Sequence, residues 1–199
     1  SYNVERAKKL LDDVNWAPNE NGYREKDGEV LSVTITTINQ PENENVANLI
    51  KSYWKAIGVQ TTVQLIPQSE IQTNVIKNRD YGILLYGAIV GGDPDPYPFW
   101  HSSQVEHPGL NLALFKDGNT DLLLEAAREE TDFEKRVESY SAFRKILLEE
   151  VPAIFLYTPT YTYIQEKRLK GFDIDGLIIP ADRFNNSIEW FTKTRRSFK

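Results

Sequence analysis

The sequence predicts an α/β fold, a mixed sheet with crossover helices plus a helical addition. Two observations carry this. In the first half, apolar stripes at a 3.6-residue period alternate with short β-branched runs in the order α-β-α-β-α-β. That alternation signals parallel strands joined by helical crossovers. In the second half the strand signals thin out and two helical stripes follow one another. At 199 residues, 40% hydrophobic and 26% charged, the chain suits one compact domain or one lobe of a larger protein.

The elements read in order as follows. Asn3 can cap a helix from Val4 to about Val14, with Val4, Ala7, Leu10, Leu11 and Val14 on one face. A polar loop, Asn19 to Gly28, precedes a strand from Val30 to Ile38. Pro41 suits the start of a helix whose stripe is Val46, Leu49, Ile50, Tyr53, Trp54 and Ile57, with Gly58 as its stop. Val59, Thr61, Val63 and Leu65 alternate with polar residues as a second strand, ended by Pro67. A short helix from Ser69 to about Lys77 leads to Tyr81–Gly87, an apolar run expected to be buried on both faces.

Gly91 to Pro98 (GGDPDPYP) is turn chemistry, and a loop continues through Gly109. A helix is expected from Thr120 to Glu130. Thr131 and Glu134 make a capping box for a second, faced by Phe133, Val137, Tyr140, Phe143, Leu147 and Val151. Pro152 closes it, Ala153 to Ile164 reads as a strand interrupted at Pro159, and Lys170 to Lys199 has no strong periodicity.

Composition excludes several classes. No apolar run approaches the ~20 residues that span a bilayer. With no Cys, disulfides, thiolate metal sites and Cys nucleophiles are excluded. With no Met, a processed or excised piece is expected, Ser1 being a cloning remnant or cut site. The net charge of −6 argues against nucleic acid, and the one basic cluster, Lys193 to Lys199, reads as a solvated tail.

Material for catalysis is scarce. The two histidines, His101 and His107, flank the proline-rich loop and read as surface residues; a zinc site would need further His or Cys ligands. Asp93 and Asp95 stand one proline apart, as a cation site or a glycosidase pair would need, but Asp before Pro also initiates turns, the simpler reading. Asp173 and Asp175 lack the remaining oxygens of a calcium loop. Tyr86, Tyr97, Phe99 and Trp100 flank the Gly/Asp/Pro turn. They either line a small-molecule surface beyond the strand ends or pack the loop onto the core.

Several segments in order resemble the C-terminal lobe of the family 5 extracellular solute-binding proteins of ABC importers. They are AKKLLDDVNWAPNENGYREKDG (Ala7 to Gly28), KAIGVQTTVQ (Lys55 to Gln64), DYGILLYG leading into GGDPDPYPF (Asp80 to Phe99), LLEEVPAIFLY (Leu147 to Tyr157) and KRLKGF (Lys167 to Phe172). The resemblance implies that residues 1–199 form a single α/β lobe of a two-lobed, type II periplasmic-binding-protein-like fold. It implies a monomeric receptor that captures a peptide-like or other small solute in the periplasm or outside the cell and hands it to permease subunits. Such a receptor performs no chemistry, needs no cofactor or metal, and touches the membrane only through an anchor outside this chain. The ligand-facing residues it implies are Tyr86, Gly87, Ala88, Val90, Asp93, Asp95 and Trp100. Two other readings stand beside it, a carboxylate-dependent hydrolase using Asp93 and Asp95, and an adhesion or signalling module on the same fold.

One departure bears on the ligand. Peptide-binding members of the family enter this loop as W-x-x-D, and the Asp holds the ligand's free amino terminus. Aligned through Asp93-Pro94, that Asp position is Val90 and the Trp position Gly87, with Tyr86 offering a ring one residue earlier. A free-amine peptide therefore lacks its counter-charge here, so the expected ligand is something other than a free-amine di- or oligopeptide, or has its amine anchored elsewhere. Val90→Asp is expected to raise affinity for free-amine peptides in a binding screen; no gain would remove Val90 as the determinant.

Overall fold

A computed structural model describes residues 2–90, 95–172 and 176–192. They fall into two compact units, residues 2–88 with 95–152, and residues 89–90 with 153–172 and 176–192. Asp93, Asp173 and Asp175, and the basic cluster from Lys193, lie outside the described residues.

The first unit is organised by a parallel sheet. Ser32–Ile38 (β4) is its centre, flanked by Gln60–Ile66 (β5) and Ile83–Leu85 (β6) in the order β5-β4-β6. The β4 and β5 registers match along their whole length, Ser32 opposite Gln60 through Ile38 opposite Ile66, and β6 pairs from Ile35↔Ile83 to Thr37↔Leu85. Ile35, Thr36 and Thr37 are consecutive and all buried, so both faces of β4 are covered. Threonine is tolerated there because its hydroxyl is bonded. Thr37 Oγ1 donates to the Leu85 carbonyl at 2.8 Å and Thr36 Oγ1 to Gln64 at 3.3 Å.

Parallel neighbours require crossovers. The β4–β5 crossover is helix α2 (Pro41–Lys55), which starts on its proline as expected. Ala47 is fully buried on it, whereas Leu49 and Tyr53, placed in the apolar stripe by periodicity, are exposed. Tyr53 instead meets Tyr2 at 5.4 Å. The β5–β6 crossover is a short helix, α3 (Gln68–Glu70), that runs into a π-helical turn, Ile71–Ile76. That turn buries Ile71, Val75 and Ile76 against Ile38, Ile66, Leu84 and Tyr86. Strand β6 is shorter than the Tyr81–Gly87 run and half-buried, a correction to the expectation of burial on both faces. In the described sheet it is an end strand, paired only to β4.

Helix α1 (Val4–Asp13) carries the expected cap, with the Arg6 N–H donating to Asn3 Oδ1 at 2.8 Å. The segment read as a polar loop is instead a small antiparallel sheet of Ala17–Pro18 (β1), Arg24–Lys26 (β2) and Glu29–Val30 (β3). Asp27 and Gly28, at φ 53° and 83°, make the two-residue β2–β3 hairpin, a turn that needs positive φ at both positions.

The second half of this unit is helical. Asp117 caps α5 (Gly118–Glu129), its Oδ1 accepting the Thr120 N–H at 2.7 Å. The Thr131 capping box does not form. Asp132, one residue later, caps α6 (Phe133–Glu150), accepting the Glu134 and Lys135 N–H groups on its carboxylate. Leu124, Phe143 and Leu147 form the core between the two helices, while Phe133 and Val137 stay exposed.

Irregular chain in this unit is secured by buried and half-buried polar side chains that satisfy main-chain carbonyls. Arg24, 5% exposed, donates to the carbonyls of Lys8, Trp16 and Ile57 and pairs with Asp12. Gly58 is obligatory beside it: at φ 88°, a Cβ there would meet Arg24 Cγ at 3.0 Å and the Gly22 carbonyl oxygen at 3.2 Å. Arg79 donates to the carbonyls of Ile76, Val105 and Gly109 at 2.6–2.8 Å. Asn111, fully buried, donates to the carbonyls of His101 and Phe115 and accepts the Phe115 N–H. The Tyr81 hydroxyl donates to the Leu112 carbonyl at 2.7 Å, and burial raises its pKa against the opposing pull of Arg79.

In the second unit, Leu169–Lys170 (β7) pairs antiparallel with Phe191–Thr192 (β8). Trp190 packs on Phe172 at 5.4 Å and Phe184 at 5.7 Å, and Arg183 lies over the Phe184 ring at 4.3 Å. Asp182 accepts the Ile178 and Ile179 N–H groups, each at 2.8 Å, and this lowers its pKa. Ala153 to Ile164 is not a strand, contrary to its β-prone composition. It has no ladder partner among the described residues, and β propensity makes no strand without one.

Asn111→Ala is expected to destabilise the chain by about 2–3 kcal/mol, since it strands three main-chain groups, one of them buried and two part-buried. In a urea titration, exposed Asn119→Ala serves as the control and should shift stability by less than about 0.5 kcal/mol. Equal, small effects for both would remove Asn111 as the loop's anchor.

Candidate functional site

The three parallel strands end level, because Ile38 faces Ile66 and Thr37 faces Leu85. In open α/β sheets the crevice beyond the carboxyl ends of the strands is where ligands bind. Three segments reach this edge: Asn39–Gln40 after β4, Pro67–Gln68 after β5, and Tyr86–Gly87–Ala88 after β6. The Asn39 N–H donates to the Ile66 carbonyl at 2.8 Å and carries the ladder one step further.

Side-chain amides tie these segments together. Gln40 Nε2 donates to Gln68 Oε1 at 2.7 Å, across the β4 and β5 ends. Gln72, in the π-helical turn, donates from Nε2 to the Tyr86 hydroxyl at 2.6 Å. Asn43 Nδ2 reaches Thr37 Oγ1 at 3.3 Å. The Tyr86 ring is half-buried against the Ile71, Val75 and Ile76 cluster, and Gly87 and Ala88 are exposed. Of these residues only Tyr86, Gly87 and Ala88 are legible as candidates from sequence. The amides carry no motif; their one signal is that the strand ends lack charge.

Asp95 and Trp100 sit elsewhere in the first unit. Tyr97–Trp100 is a one-turn helix, α4, whose Tyr97 and Trp100 pack on the Leu124, Phe143 and Leu147 cluster rather than on the cluster that holds Tyr86. Trp100 meets Phe143 at 6.3 Å between ring centroids. Both oxygens of Asp95 are engaged: Oδ1 accepts the Tyr97 N–H at 3.0 Å, and Oδ2 pairs with Arg128 Nε at 3.0 Å. That is the turn-initiating role. Arg128 also lies 4.2 Å over the Tyr97 ring, on which His101 stacks at 4.1 Å.

His101 is buried, a correction to its reading as a surface residue. It caps a 3₁₀ turn, Ser102–Gln104, with Nδ1 accepting the Ser103 N–H at 3.0 Å, and its Nε2 is 3.2 Å from Glu125 Oε1. Sequence could not show this, because Glu125 is brought to it by α5. Val90 belongs to the second unit and is 50% exposed. Among the described residues, no three His, Cys, Asp or Glu side chains are grouped to hold a metal ion.

Comparisons with known proteins agree along the chain. The family model described as "Bacterial extracellular solute-binding proteins, family 5 Middle" matches residues 1–107. The oligopeptide-binding protein AppA of Bacillus subtilis is 29% identical over 196 residues, covering 96% of this chain and 35% of that protein. A dipeptide-binding protein of Escherichia coli is 24% identical over 181 residues, covering 89% of this chain and 32% of that protein. Among solved structures, AppA with a nonapeptide superposes with a TM-score of 0.80 at 25% identity, covering 98% of this chain and 38% of that one. NikZ of Campylobacter jejuni with Ni(L-His) gives 0.75 at 26% identity, with 97% and 39% covered. The chain thus spans about a third of the length of the curated relatives it matches.

Arg128 is 49% exposed, so its ion pair with Asp95 and its contact with Tyr97 are screened by water. Arg128→Met is expected to cost about 1 kcal/mol at low ionic strength. In about 1 M salt that loss should shrink, since charges are then screened within roughly 3 Å. Thermal unfolding at both salt concentrations reads this out, and an unchanged Tm at low salt would remove Arg128 as the anchor of the Asp95 turn.

Proposed function

Because the chain belongs to the bacterial extracellular solute-binding proteins of family 5, we propose that it is a ligand-binding part of an ABC importer's receptor. In this reading residues 1–199 belong to the C-terminal lobe of a two-lobed protein that closes over its ligand. The protein captures a peptide-like or other small solute outside the membrane, in the periplasm or anchored at the cell surface by lipid, and delivers it to permease subunits. No helix among the described residues is long and apolar enough to cross a membrane.

The observation that carries the reading is the level carboxyl edge of the parallel sheet, where Tyr86, Gly87 and Ala88 stand with polar side chains from both crossovers. Tyr86, Gly87 and Ala88 contact ligand in this reading, and Asp95 and Trp100 hold the following turn against α5 and α6. The relatives' names point the same way: they describe oligopeptide and dipeptide binding, and one solved neighbour carries a nickel–histidine complex. A receptor needs no reaction chemistry. The hydrolase alternative asks for a carboxylate free to act, and Asp95 is occupied on both oxygens.

Half a cleft lacks the contacts and water exclusion that closure adds, so this chain alone is expected to bind weakly. Native mass spectrometry of the full-length protein, before and after denaturation, tests the reading. The expected result is release of a bound solute of a few hundred daltons. A protein that releases nothing, and shows no thermal shift with peptides, sugars or metal chelates, would overturn it in favour of adhesion or signalling.

A further inference from the structure

We propose that the carboxyl edge of the parallel sheet selects uncharged polar groups and rejects anionic ones, through the side-chain amides of Gln40, Gln68 and Gln72 and the Tyr86 hydroxyl. This rests on the receptor reading and names the chemistry that receptor takes at this edge. The first support is placement. The four residues come from three different segments, yet they meet in two pairs at one end of one sheet, with the strand ends level beneath them.

The second support is charge. Residues 38–41, 66–69, 71–76 and 81–88, which build this edge and the elements feeding it, contain no Asp, Glu, Lys or Arg, in a chain that is 26% charged. The charged residues next to them in sequence are Glu42, Glu70, Lys77 and Asp80, and the two that adjoin the strand-end segments 38–41 and 66–69, Glu42 and Glu70, are acidic. A carboxylate or phosphate placed here finds no cation among the residues of these segments to replace its lost hydration, and burying a charge without a partner is costly.

The third support is hydrogen-bonding capacity. A glutamine has two N–H donors and a carbonyl with two lone pairs. In the Gln40–Gln68 pair one N–H meets one carbonyl, which leaves donors on both residues and the Gln40 carbonyl as an acceptor. In the other pair the Tyr86 oxygen accepts from Gln72, so its own proton remains to be donated and the Gln72 carbonyl to accept. The edge therefore offers donors and acceptors together. Groups that carry both, a main-chain amide or a sugar hydroxyl, match it. A carboxylate only accepts and an ammonium only donates.

The pairs are also held in advance. The π-helical turn fixes Gln72, whose main-chain carbonyl accepts the Lys77 N–H at 2.9 Å, while Ile71 beside it is buried. Side chains ordered before the ligand arrives lose less freedom on binding.

The test is calorimetric titration of the full-length protein with two neutral probes. These are N-acetylated, C-amidated pentapeptides of glutamine and alanine, and a neutral hexasaccharide. One probe is expected to bind, which identifies the amide or the hydroxyl as the source. Exchanging glutamine for glutamate in the bound peptide, or adding a uronic acid to the bound sugar, should weaken binding at least about tenfold. Gln40→Leu and Gln72→Leu should each weaken the neutral probe about fivefold to tenfold with no change in Tm, and Gln72→Lys should restore the acidic probe. If both leucine variants bind like the parent, the inference is overturned while the receptor reading stands. The same holds if neither probe binds a protein that releases a solute in native mass spectrometry. If nothing binds and nothing is released, both fall.

Discussion

Strand β4 is hydrogen-bonded on both sides by parallel neighbours, and the rest of the first unit is arranged by the need to keep that ladder covered. Parallel strands cannot be joined by hairpins, so the chain must leave the sheet and return through α2 and then through α3 with its π-helical turn. Each return buries apolar side chains against the sheet, which is why Ile35, Ala47 and Ile71 are almost fully enclosed. The same geometry makes the three strands end together. A level edge follows from the registers of the ladder, not from any residue placed there for binding.

Covering the sheet with long crossovers brings irregular chain into dry surroundings, and its carbonyls must be satisfied there. Three side chains do most of this. Arg24 gathers carbonyls from α1 and from the end of α2, Arg79 gathers those of Val105 and Gly109, and Asn111 closes the turn to Phe115. Arginine suits the task because its planar fork presents several donors at once. No motif marks these residues in one dimension. Their enclosure is a consequence of which loops surround them.

The same distinction separates the two groups of candidate residues. Tyr86 and its following Gly87 and Ala88 are legible because they follow an apolar strand run, and strand ends are where α/β sheets bind. Asp95 is legible as an acid before proline, and its geometry is that of a turn initiator tied to Arg128. Gln40, Gln68 and Gln72 carry no sequence signal beyond a lack of charge around them. They become a group only because β4, β5 and the π-helical turn converge. His101 shows the reverse error: two histidines flanking a loop look alike, yet one is enclosed between Tyr97 and Glu125.

The sequence by itself determined the α/β class, the helix starts at Asn3 and Pro41, the order of strands and crossovers through Leu85, and the resemblance that the family match supports. These are written in local patterns, since period, capping and turn residues act within a few positions. The short hairpin at Asp27–Gly28 is also local, with an Asp-Gly pair at its turn, but reading Asn19 to Gly28 as a polar loop misses it. Tertiary structure alone decided that Leu49 and Tyr53 lie outside the buried stripe and that Ala153 to Ile164 forms no strand in the described chain. Each of these turns on what stands opposite the residue in space. A periodic stripe can be wider than the surface it meets, and a strand exists only where another backbone answers its hydrogen bonds.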